Sequence, residues 1–269
     1  MAKRPHETIT SMNAKEELYG SRLTTARVAR TILTYEVGVA AFGYAMYGPQ
    51  NLWIILIWMA IAAFYIYRKI LPMGIDANYH RKAETERNKF INIVTQGLTT
   101  KDANVLAVLR RAAEKAEGEF HKDLMSLLAV LVSSPDRADQ HRAFEDISKK
   151  YENDIYFGLF MEQVETVYYE SLQHIDAFRE FKNSHNLLLL KQKEFIRKKK
   201  QAQIQLMSIL VLSLATSVIC LYSSGYQSFL KVYANSFAGE VMSTLYLLAL
   251  SLIINGFYNH FYDDVITSY

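Results

Sequence analysis

The chain has 269 residues, 51% of them hydrophobic and 13% aromatic, and its 30 Lys and Arg against 27 Asp and Glu leave a net charge of only +3. So small a net charge gives no support to nucleic-acid binding driven by bulk electrostatics. The single cysteine, Cys220, excludes an intramolecular disulfide and any cysteine-based metal site, and its place inside an apolar run reads as a small hydrophobe packed in a core.

Residues 1–30 are polar and basic, with Lys3, Arg4, Lys15, Arg22, Arg27 and Arg30 set against Glu7, Glu16 and Glu17. This stretch is too long and too mixed for the charged start of a signal peptide, and it reads as a cytoplasmic tail, helical from Lys15 to Arg30. Residues 31–71 read as a transmembrane hairpin. Its two apolar runs, Ile32 to Tyr47 and Leu52 to Tyr67, are joined by the turn Gly48-Pro49-Gln50-Asn51 and closed by Pro72 and Gly74. Ile70 and Leu71 extend the second run toward the ~20 residues a span needs. Trp53, Tyr65 and Tyr67 sit where interfacial aromatic residues belong.

Residues 72–203 hold 21 of the 30 basic and 20 of the 27 acidic residues. Nothing there alternates with period two, and apolar residues recur at spacings of three and four, so the block reads as a helical bundle. Its stripes are Phe90, Ile91, Ile93 and Val94; Val105, Leu106, Leu109, Ala112, Ala113 and Ala116; Phe120, Leu124, Leu127, Leu128 and Leu131; and Ala138, Phe144 and Ile147. Another runs through Phe157, Phe160, Val164, Val167, Leu172, Ile175 and Phe178. Gly97 ends the first helix, Thr99 or Thr100 caps the next with Asp102 in its first turn, and Asn183-Ser184-His185-Asn186 interrupts or bends the last. Residues 204–258 carry two further spans, Ile204 to Tyr222 and Val241 to Tyr258, with an outside connector at 223–240, and 259–269 form a cytoplasmic tail.

Orientation follows from Lys and Arg near the span ends. The N-terminal tail has six, Arg68 and Lys69 follow the second span, and six lie between Lys191 and Lys200, whereas the two outside connectors hold none and one (Lys231). The fold expected is thus an all-α membrane protein. Four transmembrane helices in two hairpins flank a helical bundle, with the bundle and both termini cytoplasmic at a cell membrane.

No phosphate-binding glycine loop, HExxH pair or GxSxG setting occurs, so no catalytic, cofactor or metal residue is nominated and the chain reads as a non-enzyme. Glu36 is the one charge inside a span and a candidate functional residue, with Arg27 and Arg30 within two helical turns as possible partners. The run Arg197, Lys198, Lys199, Lys200 immediately precedes a span, which explains it by topology and contact with anionic lipid rather than nucleic acid.

The arrangement Phe90-Ile91-x-Ile93-Val94-x-x-Gly97-Leu98-Thr99, followed by a helix with Leu106 and Leu109, resembles the start of a type II secretion system F domain. Phe120 to Leu131, Ala143-Phe144-x-x-Ile147, Leu172-x-x-Ile175-x-x-Phe178 and the basic entry into a span are similar to that family's later helices. Ser133-Ser134-Pro135-Asp136 and Glu170-Ser171 stand where the family pattern has glycines. The layout is similar to the short, single-F-domain members of Tad-type pilus systems, with Gly97, Leu98 and Thr99 at the family-motif turn. The resemblance implies a membrane platform for pilus or pseudopilus assembly. Its partners would be a separate cytoplasmic ATPase, pilin-like subunits, membrane lipids, and either a second copy or a companion platform protein. The other classes open to such a chain are a scaffold subunit of a conjugation or type IV secretion apparatus and, more remotely, a small transporter.

Overall fold

In the computed structural model, which describes residues 9–19, 22–99, 104–170 and 175–262, every regular element is helical. α1 (Ile9–Glu17) precedes α2 (Thr25–Tyr47), whose start is capped by the Thr24 hydroxyl accepting from the Arg27 amide at 3.3 Å. One helix from Lys15 to Arg30 is therefore not formed, because the extended backbone of Thr24 (φ −85°, ψ 148°) separates the two. Gly48, at φ +69°, ends α2, and a single 3₁₀ turn (Pro49–Asn51) leads into α3 (Leu52–Tyr65).

Beyond α3 comes a π-helical turn, Ile66–Ile70, and then α4 (Leu71–Leu98). Pro72 and Gly74 were expected to end the hairpin, yet the helix runs through them, unbroken from Pro49 to Leu98. The π-turn lies directly before Pro72, and its wider ladder, seen in the Leu71 amide bonding to the Ile66 carbonyl, relieves the clash a proline ring makes with the preceding turn. α5 (Val105–Lys115), α6 (Gly118–Ser133), α7 (Arg137–Lys150) and α8 (Ile155–Glu170) follow. α9 (Ile175–Ser223) continues helically through Asn183-Ser184-His185-Asn186, where an interruption was expected; polar residues lower helix propensity without breaking the ladder. α10 (Tyr226–Phe229), a second π-turn (Leu230–Ala234) and α11 (Phe237–Phe261) complete the chain, so the expected connector is itself largely helical.

Among the described residues, three helices are long and apolar enough to cross a membrane: Pro49–Leu98, Leu189–Ser223 and Phe237–Phe261. Their surfaces stay greasy. Leu56, Ile61 and Phe64 are 63%, 53% and 67% exposed, and Val211, Leu212 and Leu252 exceed 65%. Such surface is expensive in water and costs nothing in lipid. Among the described residues the protein is all-helical, with helices of membrane-spanning length and apolarity. α2 is not among the three, since Arg27, Arg30, Glu36 and several Tyr and Gly residues dilute its apolar character.

The chain divides into two compact units. One comprises Leu23–Asp76, Ile196–Asp263 and Met1–Met12; the other Ala77–Phe195 with Asn13–Arg22. The chain passes between them inside helices, in α4 at Asp76–Ala77 and in α9 at Phe195–Ile196. The second unit is the charged bundle, and its core is aromatic. Phe90 of α4 is 1% exposed, with ring centroids of Phe120, Phe160 and Phe157 at 5.5, 6.0 and 6.1 Å. Around it are buried Ile91, Val94 and Leu98, then Leu109, Ala112 and Ala113 of α5, and the whole α6 stripe Phe120, Leu124, Leu127, Leu128, Leu131. Ala138 is exposed; the α7 face that packs is Phe144 and Ile147. Leu172 lies outside the described residues, as does the side chain of Ile175.

Candidate functional site

The family-motif turn is built by close approach. A Cβ on Gly97 would lie 2.6 and 2.8 Å from the two γ-methyl groups of Val108, so the missing side chain is what lets α4 and α5 meet. Gly97 lies within the last turn of α4 rather than ending it. Leu98 is 1% exposed and belongs to the core. Thr99 does not cap α5: its hydroxyl donates backward, to the carbonyls of Thr95 (3.0 Å) and Gln96 (3.1 Å). The cap is Asn104, whose Oδ1 accepts the Ala107 amide at 3.1 Å. Thr100 and Asp102 lie outside the described residues.

A polar seam that the sequence did not reveal joins α4, α6 and the end of α7. Lys150 Nζ lies 2.6 Å from Glu119 and 2.8 Å from Asp123. Tyr79 donates to Glu119 at 2.7 Å, and Tyr151 to Asp123 at 2.6 Å. Arg87 pairs with Asp154 at 2.8 Å, its guanidinium 4.9 Å from the Tyr151 ring centroid. Burial alone would raise the Glu119 carboxyl, but hydrogen bonds from Lys150 and Tyr79 outweigh it and hold the group below its ordinary value. Burial opposes the Lys150 ammonium as well, and its bonds to Asp123 and Glu119 still lift it above the usual lysine range. Glu86, 5% exposed, ties α4 to the turn before α6: one oxygen accepts the Glu117 amide at 3.1 Å and the other takes Lys89 Nζ at 2.6 Å. These are interlocked structural contacts that position helices.

The N-terminal segment packs on this seam. The Tyr19 and Tyr79 rings meet edge to face at 5.6 Å, Lys82 donates to the Tyr19 carbonyl at 3.4 Å, and Asn78 to Glu16 at 3.4 Å. The Tyr19 hydroxyl is buried without a hydrogen-bond partner; burial, Glu119, Glu86 and Asp123 push it up to about 12 against the opposing Arg87. Gly118, at φ +68°, makes room: a Cβ there would stand 2.4 Å from the Leu18 carbonyl oxygen and 2.6 Å from the Tyr19 ring. Gly118→Ala is expected to cost about 1–2 kcal/mol in backbone strain alone and to free this segment from the bundle. Hydrogen exchange reads it as lost amide protection at Asn13–Tyr19, and unchanged protection would contradict the packing described.

In the other unit, side-chain hydrogen bonds join the apolar helices, as polar side chains do between helices in lipid. The Tyr35 and Tyr258 hydroxyls are 3.1 Å apart, Tyr47 and Thr244 2.8 Å apart, and Trp58 Nε1 donates to the Tyr47 hydroxyl at 3.3 Å. Ser213 bonds Tyr246, and Asn51 Nδ2 donates to the Ala234 carbonyl at 2.9 Å. Glu36 is the exception. It is 7% exposed and neither carboxylate oxygen has a hydrogen-bond partner, so the expected pairing with Arg27 or Arg30 is not formed. Glu36 and Gly43 are seven residues apart and share a face of α2, and at Gly43 that face meets Ile55 of α3, a Cβ there lying 3.0 Å from Ile55 Cγ2.

Of the basic run, Arg197, Lys198 and Lys200 are exposed, and Lys199 Nζ lies 5.8 Å from the Phe261 ring centroid. Cys220 is exposed rather than buried. It lines a cleft of ≈ 820 Å³ with Ala45, Ser213, Ser217, Val232 and Tyr246. An apolar run places a residue at membrane depth but does not say which way its helix face turns. Glu36 and Arg197–Lys200 thus belong to one unit and Gly97–Thr99 to the other. Among the described residues, no group of three or more His, Cys, Asp or Glu is placed to hold a metal. His121 binds the Ala113 carbonyl at 2.7 Å through Nδ1.

The chain is 27% identical over 256 residues to an uncharacterized protein of Bacillus anthracis, a similarity covering 95% of this chain and 91% of that protein. No protein-family model matches the chain, and no solved structure does. The similarity to the Bacillus protein extends over both units, spans and bundle alike.

Proposed function

We propose that this protein is a non-enzymatic membrane platform for pilus or pseudopilus assembly or type II-like secretion. It takes up the work of a separate cytoplasmic ATPase and passes it to pilin-like subunits in the membrane. The observation that carries this reading is a self-contained, charge-rich helical bundle entered and left by helices that run on into apolar spans. A bundle so connected suits transmission of force, and the chain offers no nucleotide-binding loop of its own.

Four crossings, with the bundle and both termini cytoplasmic, complete the reading. Asn13–Arg22, just before α2, belongs to the same unit as the bundle that follows α3. If α3 crosses the membrane, α2 must then cross it in the other direction. Exposed Leu33 (64%) and Val37 (63%) on α2 suit lipid contact. Co-purification of the full-length protein with the secretion ATPase encoded by the same organism tests the function. A stable complex is expected, and no binding at high concentration of both proteins contradicts it.

A further inference from the structure

The basic end of the membrane unit carries a cation, Lys69, that no carboxylate among the described residues neutralises. Lys69 lies in the π-turn Ile66–Ile70, half-buried, with its ammonium nitrogen 2.6 Å from Oδ1 of Asn255 on α11. The Tyr65 hydroxyl donates to that same oxygen at 2.7 Å. Two donors on one carbonyl oxygen fix the orientation of the amide, so the Asn255 NH₂ group turns away from both and keeps its donors for another acceptor. Among the described residues the polar partner of Lys69 is this neutral amide; its other neighbour is the Tyr65 ring, 5.5 Å from the ammonium. Arg68, exposed beside it, stands 5.9 Å from the ring centroid of Phe64. Lys199 contacts Phe261, six residues along α11 from Asn255, about 9 Å by helical rise. Arg68 and Lys69, from one helix, and Lys199, from α9, therefore each rest on an aromatic ring, and Lys69 and Lys199 reach α11 at different residues, Asn255 and Phe261.

We propose that Lys69 and Arg68, with the Asn255 amide, bind the phosphate of an anionic phospholipid at the basic end of the spans. A phosphate oxygen accepts from the remaining ammonium protons and from the Asn255 NH₂ group, and it neutralises a charge that is costly to hold partly buried at a membrane boundary. The acyl chains have an apolar surface to follow in Ile61 and Phe64 of α3 and Leu252 of α11, all more than half exposed. A π-turn at the centre of the site fits the association of such bulges with functional positions. The inference stands on the membrane character of this unit and is independent of any secretion role.

The test uses full-length protein in detergent, relipidated with phosphatidylglycerol or phosphatidylcholine and followed by native mass spectrometry and thermal unfolding. Phosphatidylglycerol is expected to be retained preferentially and to raise the unfolding midpoint. Lys69→Gln is expected to weaken its retention about fivefold, the effect of one basic residue near a membrane surface, while Lys69→Arg retains it. Arg68→Gln, at an exposed position, is expected to show a similar loss and keeps the test decisive if Lys69→Gln does not fold. Inorganic phosphate in lipid-free detergent is expected to leave the midpoint unchanged. Equal retention of the two lipids, wild-type retention in the glutamine variants, or a phosphate effect as large as that of phosphatidylglycerol overturns the proposal.

Discussion

Replacing Phe90 by alanine is expected to destabilise the charged bundle by about 3–5 kcal/mol, the range for truncating a fully buried phenylalanine. The side chain is 1% exposed and three other phenylalanine rings, from α6 and α8, close around it. No single neighbour can move in to fill the space, since Phe120 and Phe157 also pack on each other at 5.6 Å and Phe160 on Phe178 at 5.8 Å. A domain of this size is stable by only about 5–15 kcal/mol, so the loss removes much of the total. Limited proteolysis of the full-length protein reads it as faster cleavage within Ala77–Phe195. Ile155→Ala, at a side chain 58% exposed, is expected to stay within about 0.5 kcal/mol of wild type. Equal protease resistance of Phe90→Ala and wild type would contradict this core.

The second large effect concerns Glu36, where stability and function are expected to part. A carboxyl group held 7% exposed with both oxygens unpartnered stabilises nothing in the structure that contains it. Glu36→Leu is therefore expected to insert normally and to raise the stability of the membrane unit, on the order of 2 kcal/mol. Glu36→Gln is expected to insert as well while weakening assembly or function, because it keeps the shape and loses the acid. Thermal unfolding in detergent reads the first effect and complementation of a deletion strain the second. Wild-type complementation by Glu36→Gln would show that the acid has no role.

Periodicity made the bundle's interior readable in the sequence. The stripe Phe120, Leu124, Leu127, Leu128, Leu131 is buried throughout, as are Phe90, Ile91 and Val94, because i, i+3 and i+4 spacings admit one inward face per helix. Helix ends were harder. Pro72 reads as a stop in isolation, but the π-turn before it makes room for the ring, and a one-residue bulge has no local signature. Asn104 takes the cap expected of Thr99 or Thr100 because α5 starts at Val105, together with its apolar stripe and not a turn before it. The polar contacts were the least legible. Tyr19 against Gly118 is a contact between residues 99 positions apart, and Lys69 with Asn255 joins residues 186 apart; neither pairing leaves a trace in spacing. Asn255 was visible only as an amide in an apolar run, and Lys69 only as a charge that orients a span.

Cysteine accessibility in intact cells tests the arrangement of the chain across the membrane most directly. In a Cys220→Ser background, single cysteines replace Ala14 before α2, Ser126 in the bundle and Gln227 in the connector between α9 and α11, all exposed positions. With four crossings, an impermeant maleimide is expected to label only Gln227→Cys in intact cells, and Ala14→Cys and Ser126→Cys only after permeabilisation. Labelling of Ala14→Cys from outside, with Ser126→Cys protected, would mean that α2 does not cross and would contradict the four-span platform.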